Sequence, residues 1–117
     1  MKFLIVFFVF CFYEVSAQQI SDVQTKNSWI IVFNSNGKEI SRMAQAKYEV
    51  VGTAGSFFVV TNSSWIIIFN EKYKEIARMA LAKKQVKGAV SETFTVLENS
   101  WIITYDKNCK EKSRRAK

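Results

Sequence analysis

Residues 28–34 read SWIIVFN, residues 64–70 read SWIIIFN and residues 100–106 read SWIITYD. Each segment is β-branched and aromatic and closes on Asn or Asp, which favours an extended strand over a helix. Trp29, Trp65 and Trp101 stand 36 residues apart, and the flanking sequence follows without a gap. Recurrence at a fixed period of this length marks a repeat architecture, in which each unit hides its apolar faces against its neighbours.

The copies span 20–55, 56–91 and 92–117, the third stopping short, and the first two are identical at 18 of 36 positions. Lys38, Lys74 and Lys110 recur, as do Glu39, Glu75 and Glu111, and Arg42, Arg78 and Arg114. In the first copy the tryptophan strand runs into FNSNGKEI, where Gly37 supplies the left-handed backbone of a hairpin turn; Tyr73 and Cys109 take its place in the others. Upstream, SFFVVTN and ETFTVLEN read as strands. Residues 38–50 and 74–86 are ambiguous, because Ile76, Met79, Ala80 and Lys83 fall at helical spacing. The third copy, KEKSRRAK, has no such apolar stripe, so a returning strand is the preferred reading and a β-β-α unit the alternative. The expected fold is all-β: three tandem 36-residue antiparallel meanders, closed as a prism or trefoil-like body or left open as a short solenoid or propeller-like array.

Alternation sets Trp29, Ile31 and Phe33 on one face of their strand and Ile30 and Val32 on the other. Both faces are apolar, so this strand is expected at the centre of its sheet and covered on both sides. The outer copies are more polar. Asp22 and Gln24 stand where the second copy has Phe58 and Val60, and Thr104 stands where it has Ile68, as expected of repeats at the ends of an array.

A tryptophan-led strand, an Asn/Asp-x-x-Gly-Lys turn and a returning strand resemble bacterial WG-type repeats and the outer strand pairs of β-propeller blades. The resemblance covers SWIIVFNSNGKEI and its two counterparts. It implies a scaffold for binding, with no catalytic residues to carry over.

The chain has 117 residues, no histidine, no proline, two cysteines, and 17 basic against 10 acidic side chains. Without histidine, imidazole acid–base catalysis, cysteine–histidine zinc sites and haem ligation drop out; no cofactor and no metal are expected. Lys2 precedes an apolar run from Phe3 to Tyr13, then Val15, Ser16, Ala17 and polar Gln18. This reads as a secretory signal peptide cleaved after Ala17, too short for a transmembrane anchor, and places the protein in the periplasm or outside the cell. Phe10 before Cys11 argues against lipidation. Lys2 and Glu14 leave together, so the net charge of +7 belongs to the domain.

Candidate ligand-binding residues are Trp29, Trp65 and Trp101, with the turn residues Asn34, Asn70 and Asp106 and Lys38, Lys74 and Lys110. The indoles suit sugar stacking, yet their phase with Ile31 and Phe33 favours the core. The Lys-Glu-x-x-Arg sets read as an exposed charged strand with Glu paired to a nearby cation. One carboxylate per repeat is not glycosidase chemistry. Six cations among residues 107–117 read as a solvated tail, with an anionic envelope surface as the alternative partner. No nucleic-acid motif is present. Cys109 reads as incidental, with a covalent dimer as the alternative. The expected function is a non-enzymatic binding module for a glycan or protein. A self-assembling envelope protein, with homo-oligomers, and an inhibitor or immunity-type protein are the alternatives.

Overall fold

The computed structural model describes residues 19–117; the signal peptide expected over residues 1–17 and its expected cleavage point lie outside the described residues. Within them the chain is all-β, with 11 antiparallel strands in three sheets and no helix. The first sheet holds β1 (Ile20–Lys26), β2 (Trp29–Asn34) and β3 (Glu39–Ala44). The middle sheet holds β4 (Glu49–Thr53), β5 (Phe58–Thr61), β6 (Trp65–Phe69) and β7 (Glu75–Ala80). The last sheet holds β8 (Lys84–Val90), β9 (Thr93–Glu98), β10 (Trp101–Asp106) and β11 (Glu111–Ala116). Every sheet is a meander, each strand pairing with its neighbour in sequence. The helical spacing around Ile76 is not realised, since β7 returns along β6 directly from the hairpin turn.

Strand pairing runs in a different frame from the sequence copies. β4, at the end of the first copy, pairs with β5 of the second, and β8 pairs with β9. The chain changes sheets at residues 45–48, where Gln45 N–H closes the preceding hairpin on the Ser28 carbonyl and Ala46 takes a φ of 49°. Ala82, one period later, takes 45°. These left-handed residues turn the backbone out of one sheet and into the next.

The sheets stack in chain order with two apolar layers between them. Call the side of each sheet that looks toward the preceding one its front, and the other its back. Ile30 and Val32, on the back of the first sheet, meet Phe58, Val60, Ile67 and Phe69, on the front of the middle sheet. Val59, Ile66 and Ile68, on the back of the middle sheet, meet Phe94 and Val96 of the last. Thus β6 lies between paired strands and is buried on both faces, as its continuous apolar run predicts. Asp22 and Gln24 lie on the front of the first sheet and Thr104 on the back of the last, because their cross-strand partners are Phe33, Ile31 and Thr95. No described sheet covers either face, which explains why these positions turn polar.

The three hairpin turns share one geometry. Asn34 Oδ1 accepts the N–H groups of Asn36 and Lys38, Asn70 Oδ1 those of Lys72 and Lys74, and Asp106 Oδ1 those of Asn108 and Lys110. The left-handed position is held by Gly37, Tyr73 and Cys109, at φ 79°, 63° and 63°. For the two non-glycine residues this conformation costs on the order of 1 kcal/mol. Packing offsets it. Tyr73 lies edge-on to Phe58 and Phe69 in the first apolar layer, and its hydroxyl donates to the Ile30 carbonyl of the sheet in front. Burial raises its pKa well above the ordinary phenol value. Tyr73→Phe is therefore expected to lower stability by about 0.5–1.5 kcal/mol, the worth of one such bond, as read from the urea midpoint.

Candidate functional site

Each tryptophan opens the central strand of its hairpin, and each arginine lies on the returning strand, on the same face. Ile67 pairs with Arg78 and Trp65 with Ala80, so Trp65 and Arg78 are diagonal neighbours within reach of long side chains. The Arg78 guanidinium carbon sits 5.1 Å from the Trp65 ring centroid. The corresponding distances are 5.4 Å for Arg42 over Trp29 and 5.3 Å for Arg114 over Trp101. Such placement is attractive because the cation faces the negative π surface.

The glutamates complete the arrangement. Glu75 accepts two parallel hydrogen bonds from Arg78, at 2.8 Å each, and Glu39 and Glu111 hold Arg42 and Arg114 in the same bidentate way. A one-residue bulge between Ile68 and Phe69, repeated in the other two hairpins, sets Glu75 opposite Phe69, on the side of Arg78. The fork geometry fixes the guanidinium plane and so holds the cation over the indole. Hydrogen bonds from the arginines hold all three carboxyls below their usual range. A carboxylate so depressed is the wrong group for general-acid work at neutral pH.

The core reading of the tryptophans is corrected here. Trp29, Trp65 and Trp101 are 40%, 38% and 42% exposed. They share a phase with the buried Ile67, but they stand at the end of the strand. Trp29 has no described sheet in front of it, whereas Trp65 and Trp101 do, yet all three are equally open. The neighbouring sheet therefore contributes little to covering an indole; the hairpin's own arginine is its partner. The outcome is three matching Trp–Arg–Glu triads, one in each of the three sheets.

The other candidates are not brought to these triads. Asn34, Asn70 and Asp106, with Lys38, Lys74 and Lys110, lie at the opposite end of the tryptophan strand, about 17 Å away for a five-residue separation. The Asn and Asp side chains cap their own turns. Backbone N–H donors, Lys110 first, hold Asp106 below its usual range. The basic C-terminal run is not a loose tail, because β11 pairs with β10 as an edge strand with every residue exposed. Charged side chains on an edge oppose further strand addition. The arginines were the residues that sequence reasoning left out of the site. Their signal was present, since Arg42, Arg78 and Arg114 keep the same 13-residue distance from each tryptophan.

Cys109 projects from its turn into the second apolar layer, and burial pushes its thiol up to about 11. At pH 8 this leaves about a hundredfold less thiolate than an ordinary cysteine carries. In a Cys11→Ser chain, reaction with a disulfide reagent at pH 8 is expected to run about a hundredfold slower folded than in urea. Equal rates would contradict the placement. Among the described residues no group of three His, Cys, Asp or Glu side chains is placed to hold a metal ion, and no helix is long and apolar enough to cross a membrane. No protein-family model matches the chain, and no curated protein is significantly similar to it.

Proposed function

We propose that this chain is an exported, non-enzymatic binding module that takes a glycan polymer across Trp29, Trp65 and Trp101. The observation that carries the proposal is the threefold recurrence of a surface indole fixed by an Arg–Glu fork. A single surface aromatic needs no explanation, but this one is kept open in three sheets in the same way. The indole supplies an apolar platform for the C–H face of a sugar ring. The guanidinium and carboxylate beside it supply donors and acceptors for hydroxyl groups. Because the forks hold the side chains before any ligand arrives, little ordering entropy is lost on binding. A polymer engaging three equal sites gains avidity that a short oligosaccharide cannot. Export, read from residues 1–17, puts such a module where extended polysaccharides are found.

The test is affinity electrophoresis and calorimetry with a panel of neutral and acidic polysaccharides. Retention is expected for the wild type. The triple Trp29→Ala, Trp65→Ala, Trp101→Ala variant, folded by circular dichroism, is expected to bind at least about a hundredfold more weakly. Binding retained by the folded triple variant, or no retention of any polysaccharide by the wild type, would remove this reading.

A further inference from the structure

The chain makes the same kind of interface twice, the back of one sheet against the front of the next, and among the described residues no sheet lies over the front of the first sheet or the back of the last. On the back of the middle sheet Ile66 and Ile68 are fully buried against the last sheet. Their counterparts one period on, Ile102 and Thr104, are half-buried and have no described sheet over them. On the front of the middle sheet Ile67 and Phe69 are buried against the first sheet. Their counterparts one period earlier, Ile31 and Phe33, have no described sheet over them, although Ile31 is buried at 7% exposure and Phe33 is half-buried.

Where a charge replaces an apolar residue of another sheet the two faces differ in sign, although the front of the first sheet also carries exposed Lys26, opposite Trp29. On the back of the last sheet a shallow groove of about 310 Å³, floored by Leu97, Ile102 and Thr95, is bordered by Lys87, Arg115 and Lys117. On the front of the first sheet Asp22 is exposed and, beyond a hydrogen bond from Gln24, carries no charged partner in the ion pairs of the described residues. The positions correspond through the repeat. Lys87 stands where the middle sheet has Val51, and Asp22 stands where the last sheet has Phe94; Val51 and Phe94 share one apolar layer. Repeating the internal interface between two molecules would bring Asp22 toward Lys87.

We infer that the back of the last sheet receives the front of the first sheet of a second copy, so that the chain associates head to tail by reusing its own sheet-stacking interface. This goes beyond the glycan reading and rests on different residues. Such a contact is heterologous: it closes into a ring if the rotation per molecule allows and otherwise extends as a filament. In either form it would add further triads to the assembly. Charge in place of two apolar positions makes the contact weaker than the internal ones and selective for one orientation.

Sedimentation velocity over a concentration series tests this with wild type, Asp22→Lys and Lys87→Asp, all at exposed positions and checked for folding by circular dichroism. Wild type is expected to associate. Each variant alone sets like charges face to face and is expected to associate about tenfold or more weakly. An equimolar mixture of the two variants restores opposite charges at every contact and is expected to recover the wild-type behaviour. A monomeric wild type at the highest concentration reached, a single variant that associates as wild type does, or a mixture that fails to recover would each overturn the inference.

Discussion

Phe58→Ala is expected to lower the unfolding free energy by about 3–5 kcal/mol, a large part of the roughly 5–15 kcal/mol available to a domain of this size. Phe58 is fully buried in β5. It stacks on Phe69 at 5.7 Å between ring centroids and meets the edge of Tyr73 at 5.3 Å. Removing the ring opens a cavity between the first and middle sheets that rigid strands on either side cannot collapse to fill. The repeat supplies an internal control. Asp22 is the counterpart of Phe58 in the first copy and is exposed, so Asp22→Ala is expected to change stability by no more than about 0.5 kcal/mol. Urea unfolding followed by circular dichroism distinguishes the two; equal effects would mean that the sheets do not stack as described.

Gly52→Val tests the other element of the stack, the close passage of β4 across β8. A Cβ at residue 52 would lie 3.1 Å from the Ala89 Cβ and 3.2 Å from the Ala89 backbone nitrogen. The second of these cannot move aside as a side chain would, so the two strands must part. An overpacked contact of this kind is expected to cost about 1–3 kcal/mol, or a fall in Tm of roughly 4–8 °C for each kcal/mol. Gly52→Ala is expected to show a smaller loss of the same sign. A valine variant as stable as wild type would mean that β4 and β8 are farther apart than the structure has them.

The fold was largely legible because three independent signals agreed: the 36-residue period, the β-branched strands and the Asn-capped turns. The sheet boundaries were not. A repeat shows which segments are alike, but it does not show which neighbour a segment pairs with. Only the left-handed turns at Ala46 and Ala82 send β4 and β8 onward to the next sheet. Alanine gives no sign of that conformation. Tyr73 and Cys109 were legible as substitutes for Gly37, whereas their value as anchors in the apolar layers depends on the sheet in front of them.

Alternation alone places the tryptophans wrongly for a related reason. Alternation correctly assigns the face of a strand, but exposure also depends on how far along the strand the covering sheet extends. Trp65 and Ile67 share a face, and one is 38% exposed while the other is 1% exposed. The recurring arginine 13 residues on was the counter-signal, since a cation held near an indole in every copy is more at home at the surface than in a core.

The chain's indole fluorescence reports on these three positions and no others, because Trp29, Trp65 and Trp101 are its whole complement. Acrylamide quenching of the native protein therefore asks the decisive question in one titration. Surface triads predict a red-shifted emission that a neutral quencher reaches almost as readily as in the urea-unfolded chain. A blue-shifted emission that resists quenching until the protein unfolds would put the indoles back in the core and contradict the surface triads.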